Sequence, residues 1–238
     1  VCRHMRNRTE IEYETECGLK IKRTIFILPQ DEGMPEATEA QIISIENTSG
    51  KDRALRIVAS GAFGLCSPES MMNEIIYARV TWEGGVTCED GKPVFVTPHP
   101  NPKYLSPQKR FATLISGGKC FDDYCTSYSE FIGNGSLEHP AGGAKLSSNK
   151  ARKTVSFFAM EKSVAVKSGE KAELLSLVGM MTVPGGDDAP FLSALEKLLE
   201  KYRADGAAEE ALERQIKFSR DFASYIKISS GDRLFDTY

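Results

Sequence analysis

Residues 9–15 alternate without a break: Thr9, Ile11, Tyr13 and Thr15 fall on one side, Glu10, Glu12 and Glu14 on the other. A period of two is the mark of a half-buried strand. A second strand follows, in which Leu19, Ile21, Ile25 and Ile27 share a face. Joining the two through the loop Glu16, Cys17 and Gly18 sets Tyr13 opposite Ile21, Glu14 opposite Lys20 and Glu12 opposite Lys22. Apolar then meets apolar and charge meets counter-charge, as cross-strand pairs require. A shorter loop would put Tyr13 against Lys22, so the longer one is predicted, with Gly18 supplying the positive φ of a bulged turn.

Residues 40–46 and 55–59 read as a further strand pair, a hairpin through Asn47, Thr48, Ser49, Gly50, Lys51 and Asp52. More β-like runs occupy 74–82, 93–96, 110–115, 154–166 and 171–178, most of them separated by Gly, Pro, Asn or Ser. The stretch 98–107 holds Pro98, Pro100, Pro102 and Pro107; it cannot be a central strand and reads as a long loop.

The period changes after Gly185 and Gly186. Phe191, Leu192, Leu195, Leu198, Leu199 and Tyr202 recur at helical spacing, with Asp187 or Asp188 as cap and Pro190 in the first turn. Gly206 breaks the pattern. A second helix is predicted over 207–226, where Leu212, Ile216, Ser219, Phe222 and Ile226 form a stripe widened by Phe218 and Tyr225. Strands followed by helices predict a mainly β, antiparallel sandwich over 1–185 and a helical segment over 186–238.

With 41% hydrophobic and 26% charged residues, the composition is that of an ordinary folded domain and changes little in this picture. Charge narrows the function more: a net charge of -3 without any Lys/Arg block gives no field to hold a nucleic acid. No apolar run is long enough to span a bilayer. Six cysteines at irregular spacing (Cys2, Cys17, Cys66, Cys88, Cys120, Cys125) read as free thiols of a reducing cytoplasm, and with His4, His99 and His139 equally dispersed no metal site is predicted.

Gly117, Gly118 and Lys119 lack the upstream Gly of a phosphate loop, Gly133, Asn134 and Gly135 do not open a dinucleotide fingerprint, and no Ser sits in a nucleophile elbow. The stretch 128–140 is the most unusual. It mixes Glu130, Phe131, Asn134, Glu138 and His139 with two glycines. Planar polar groups beside an aromatic suit a sugar, whose hydroxyls seek such partners and whose ring faces stack, so these five residues are the candidate substrate-binding set. The plainer reading is a structured loop anchored by Phe131 and Ile132. No catalytic pair is assigned: Asp122 and Asp123 are adjacent in a strand-like stretch and would point to opposite faces.

Four stretches, in this order, carry a resemblance. They are Ile43-x-Ile45-Glu46-Asn47-Thr48-Ser49 leading to Arg53-Ala54-Leu55-Arg56-Ile57; Glu130-Phe131-Ile132-Gly133 with Pro140 after it; Phe157-Phe158-Ala159-Met160 leading to Val164-x-Val166-x-x-Gly169-Glu170; and Ser229-x-x-Asp232-x-x-Phe235-Asp236. The arrangement resembles the cellobiose phosphorylase-like glycoside phosphorylases, nearest to the 1,2-β-oligoglucan phosphorylase and cyclic β-1,2-glucan synthase type. The resemblance implies a galactose mutarotase-like β supersandwich, then two linker helices leading to an (α/α)6 domain that carries the catalytic acid and the phosphate site. It implies inverting phosphorolysis of a β-gluco-oligosaccharide in the parent enzyme, with inorganic phosphate as co-substrate and no other cofactor. It also implies that 130–139 is a loop lent to a cleft, and a possible homodimer. Val1 at the start and Leu234, Phe235 and Asp236 near the end make both ends read as cut. Two other readings stand beside this one: a stand-alone carbohydrate-binding or interaction sandwich, and part of a cyclic glucan synthase.

Overall fold

The computed structural model describes residues 1–63, 83–86, 93–97, 108–146, 157–183, 188–225 and 231. The larger sheet contains β1 (Cys2–His4), β2 (Arg8–Glu14), β3 (Leu19–Ile27), β4 (Ala37–Asn47), β6 (Glu83–Val86), β7 (Val94–Thr97), β8 (Gln108–Ser116) and β12 (Lys171–Thr182). Its order is β1-β2-β3-β4-β12-β8-β7-β6, with the short β9 (Lys119–Cys120) on β8. The smaller sheet runs β10 (Asp123–Cys125), β11 (Phe157–Val166), β5 (Arg53–Ala62). All pairings among the described residues are antiparallel.

The first hairpin has the predicted register: Tyr13 faces Ile21, Glu14 faces Lys20 and Glu12 faces Lys22, and Gly18 turns at φ 77°. The second predicted hairpin does not form. β4 pairs with β3 and β12, whereas β5 pairs with β11, so residues 48–52 cross from one sheet to the other. Residues 167–170, between β11 and β12, make a second crossing beside the first. Asn47 ties the two together. Its side chain, 0% exposed, donates to the carbonyls of Lys51 (2.7 Å) and Val166 (2.9 Å), and its backbone exchanges hydrogen bonds with Glu170 and Gly169. A turn whose leading side chain, at the end of its strand, is tied to a second turn cannot fold back on that strand, which overrides the local hairpin chemistry.

Two helices follow, α2 (Ala189–Tyr202) and α3 (Ala207–Tyr225), while a short α1 (Tyr128–Ile132) precedes β11. The predicted apolar stripe of α2 is buried at Phe191, Leu195, Leu198, Leu199 and Tyr202, whereas Leu192 remains 37% exposed. Alternation sorts the layers. Phe111, Leu175, Leu177 and Gly179 share one face of the larger sheet, and Phe111 meets Phe191 of α2 with ring centroids 6.3 Å apart. Ile45, Leu114 and Leu174 point to the other face, which packs with Phe158 and Met160 of the smaller sheet in the same core. Helices, large sheet and small sheet therefore stack in that order. Each fully buried apolar side chain in this stack is worth about 2 kcal/mol in area removed from water. The strand predicted over 74–82, the Pro-rich 98–107 and the stretch from Ser229 to Asp236 lie outside the described residues.

Candidate functional site

The candidate sugar-binding residues sit on the outer side of the small sheet. Ser127 caps α1, its hydroxyl accepting from the Glu130 backbone N–H at 3.3 Å. Phe131 turns inward: it is 5% exposed and lies 5.0 Å, centroid to centroid, from Phe157 in a cluster with Cys125, Leu146 and Ala159. Its ring is an anchor between loop and sheet and offers no face to a sugar. Burial pushes the thiol of Cys125 up from its ordinary value. The rest of the set stays outside. Glu130, Asn134, Glu138 and His139 are all exposed, as is Leu137.

The loop closes on itself. Gly135 donates to the Ile132 carbonyl, Ser136 and His139 exchange hydrogen bonds across a turn, and a 3-10 turn, Ala141–Ala144, packs back on α1. A Cβ at Gly142 would overlap the Glu130 carbonyl, and one at Gly135 the His139 carbonyl. Arg56 of β5 holds the fold from below, bonding the Gly143 carbonyl and pairing with Glu161 of β11 at 2.7 Å. What emerges is a rigid loop that displays one amide, one imidazole and two carboxylates.

A cleft of about 410 Å³ lies on the helix side of the molecule. Ser116, Gly117 and Gly118 line one wall, Glu173 and Leu175 of β12 the floor, and Arg203, Asp205 and Glu209 the other wall. Glu173 and Glu209 face the same cleft. Hydrogen bonding to Glu209 first, then burial and the charges of Glu209 and Asp205, push the Glu173 carboxyl up to about 7. Nothing local in the sequence marks these residues. Glu173 is one charge in a strand, and Asp205 and Glu209 straddle an ordinary helix break.

Beside this cleft, Lys162, buried in β11, donates to the Cys120 carbonyl (2.8 Å) and to Asp122 (2.6 Å). Burial works to raise Asp122, but Lys162 and the Ser163 backbone N–H hold it below its ordinary value. Farther along the helix layer, Asp31 in the β3–β4 loop takes Lys201 of α2 at 2.7 Å and Arg214 of α3 at 2.9 Å, which holds its carboxyl down at about 2. Cys2, Cys17, Cys120 and Cys125 are free thiols; Cys66 and Cys88 lie outside the described residues. Among the described residues no group of three His, Cys, Asp or Glu side chains is placed to hold a metal, and no helix is long and apolar enough to cross a membrane.

A family model described as glycosyl hydrolase 94, supersandwich domain, matches residues 1–205, which takes in both sheets and α2 and stops just before α3. No curated protein matches the chain. Among solved structures, one described as a kojibiose phosphorylase from the human microbiome is 12% identical, with a TM-score of 0.47 over 89% of this chain and 22% of its own. A polysaccharide lyase is 12% identical, with a TM-score of 0.43 over 79% of this chain and 23% of its own. One described as an aldose 1-epimerase from Escherichia coli K12 is 9% identical, with a TM-score of 0.42 over 76% of this chain and 68% of its own.

Proposed function

The chain belongs to the glycosyl hydrolase 94 supersandwich family, and from that premise we propose that it is the non-catalytic N-terminal region of a carbohydrate-active enzyme. The parent reaction in this reading is inverting phosphorolysis of β-linked gluco-oligosaccharides. A carboxylic acid of a separate catalytic domain protonates the glycosidic oxygen while inorganic phosphate attacks the anomeric carbon from the opposite face. The supersandwich over 1–185 shapes that enzyme, and 186–238 is the connector to the catalytic domain. The single observation that carries the reading is the family match across 1–205.

In this proposal the loop 130–139 is the part lent to substrate. Glu130, Asn134, Glu138 and His139 would meet sugar hydroxyls, and Phe131 would fix the loop from beneath. The test compares residues 1–238 with the longer gene product that contains them, each given β-gluco-oligosaccharides and phosphate. The longer protein should release a sugar 1-phosphate and residues 1–238 should not. Phosphorolysis by the short chain, or none by the long one, would defeat the proposal. Tight oligosaccharide binding by residues 1–238 would instead favour a self-sufficient sugar-binding sandwich.

A further inference from the structure

The outer edge of the larger sheet carries a thiol and an imidazole that the sugar reading leaves unused. β1 ends the strand order among the described residues, and Cys2, Arg3 and His4 on it are all exposed. Residues two apart on a strand share a face, so Cys2 and His4 stand together while Arg3 turns to the other side and meets Glu12 at 3.4 Å. The Cys2 sulfur lies 3.6 Å from Nε2 of His4. That is the ligand-to-ligand edge of a tetrahedral zinc site, about 3.5 Å when sulfur sits ~2.3 Å and nitrogen ~2.05 Å from the metal. On its other side the ring is held by Thr9 of β2, whose hydroxyl lies 3.0 Å from Nδ1. With Nδ1 assigned as the donor to Thr9, Nε2 keeps its lone pair toward the sulfur, the orientation that an outer hydrogen bond imposes on a metal-ligating imidazole.

Two donors leave a tetrahedral ion half coordinated, and the same edge supplies a way to the other two. The Glu12 N–H donates to the Val1 carbonyl and the Met5 N–H to the Arg8 carbonyl, both at 2.8 Å, so the odd-numbered residues of this edge spend their backbone groups on β2. In an antiparallel ladder the alternate residues, Cys2 and His4, then direct N–H and C=O outward. A second β1 paired antiparallel about Arg3 engages these groups and sets Cys2 opposite the partner's His4, and His4 opposite the partner's Cys2. All four donors fall on one face, with opposed Cβ atoms about 5 Å apart. On the reverse face each Arg3 keeps its own Glu12 beside it.

We propose that Cys2 and His4 are one half of a zinc site with two thiolate and two imidazole ligands, completed when two copies of this chain pair along β1. Each thiol gives up its proton as the ion binds, so one Zn2+ and two chains release two protons.

The test is a cobalt titration of the 238-residue chain, kept reduced by a phosphine, since Co2+ takes the place of zinc and its visible bands report geometry. Absorption from tetrahedral, thiolate-bound cobalt should reach its end point at half an equivalent per chain. Zn2+ should bleach it, and sedimentation with Zn2+ should show a dimer. Phe218→Ser with Phe222→Ser, which removes exposed aromatics of α3, should dimerise on zinc as wild type does. Cys2→Ser and His4→Ala should each abolish the bands, whereas Cys17→Ser, at another exposed thiol, should keep them. Thr9→Val should weaken cobalt by about tenfold at unchanged band positions. An end point at one equivalent per chain, the pale spectrum of octahedral cobalt, or bands that survive Cys2→Ser would overturn the site. An unchanged far-ultraviolet spectrum confirms that each variant is folded.

Discussion

Asn47 holds the two sheet crossings with one side chain. Its amide nitrogen satisfies two carbonyls from different turns, while its oxygen accepts from the Ser49 backbone N–H (3.1 Å) and hydroxyl (2.7 Å). Asn47→Ala takes a donor from the carbonyl of buried Val166, while the Lys51 carbonyl keeps the Ser49 hydroxyl at 3.1 Å, and should cost about 1–3 kcal/mol, read from the denaturant midpoint. Asn47→Asp should cost nearly as much, because a carboxylate cannot donate. Asp31 is the other residue on which several elements converge. Since its carboxyl is held down at about 2 against 3.8, its contribution is complete above 3.8 and disappears as pH falls through about 2. Asp31→Asn should therefore destabilise by about 1 kcal/mol at pH 7, a small figure because Arg214 and Lys201 are partly solvated, and by only a small part of that at pH 2, where half of the Asp31 carboxyls are protonated. Unfolding curves at the two pH values check both statements.

The element made of α1 and the turn after it depends on one apolar anchor and on the absence of two side chains. Phe131→Ala empties the space against Phe157 and Leu146 and should cost about 3 kcal/mol. Gly142→Ala acts differently, since its methyl would collide with the Glu130 carbonyl and the loop could not close on α1. Limited proteolysis separates the two effects. Cleavage within 133–145 should rise sharply in Gly142→Ala while the sheets resist, and uncut loop in that variant would mean the backbone can shift to admit the methyl.

Across the protein, α3 presents two different surfaces along one stripe. Ala208 and Ala211 are buried, whereas Phe218, Phe222 and Tyr225 farther along are 64%, 75% and 87% exposed. The spacing of 208, 211, 215, 218, 222 and 225 alternates threes and fours, the seam of a helix that packs on a neighbour. Small residues let the helix approach the sheet; aromatic ones follow where the sheet no longer reaches, and Phe218 and Phe222 stack on each other 6.1 Å apart. A contiguous apolar face of this kind drives association in water. Residues 1–238 should sediment as a concentration-dependent mixture, and Phe218→Ser with Phe222→Ser should return a monomer. A clean wild-type monomer would contradict this.

The local pattern was sufficient wherever one face of an element is buried against its immediate neighbour. The β2–β3 register follows from alternation and turn length alone, and both helices follow from their stripes, because the interactions that fix them lie within one or two turns of chain. Loop 128–140 stood out by its composition, yet composition could not say that Phe131 points in while Asn134, Glu138 and His139 point out; that depends on Phe157, which lies 26 residues beyond Phe131. The 48–52 turn has the residues of a hairpin and becomes a crossing only because Val166 and Glu170 arrive beside Asn47. The carboxyl of Glu173 is raised in the same way, by Glu209 and Asp205, which line one cleft with it only once β12 and α3 have packed. Short-range periodicity determined the β2–β3 register and the helical stripes, whose partners lie within a few residues; long-range closure decided which turns cross between sheets, that Phe131 turns inward and that the aromatic end of α3 stays exposed, because the groups that settle these meet only when distant elements pack.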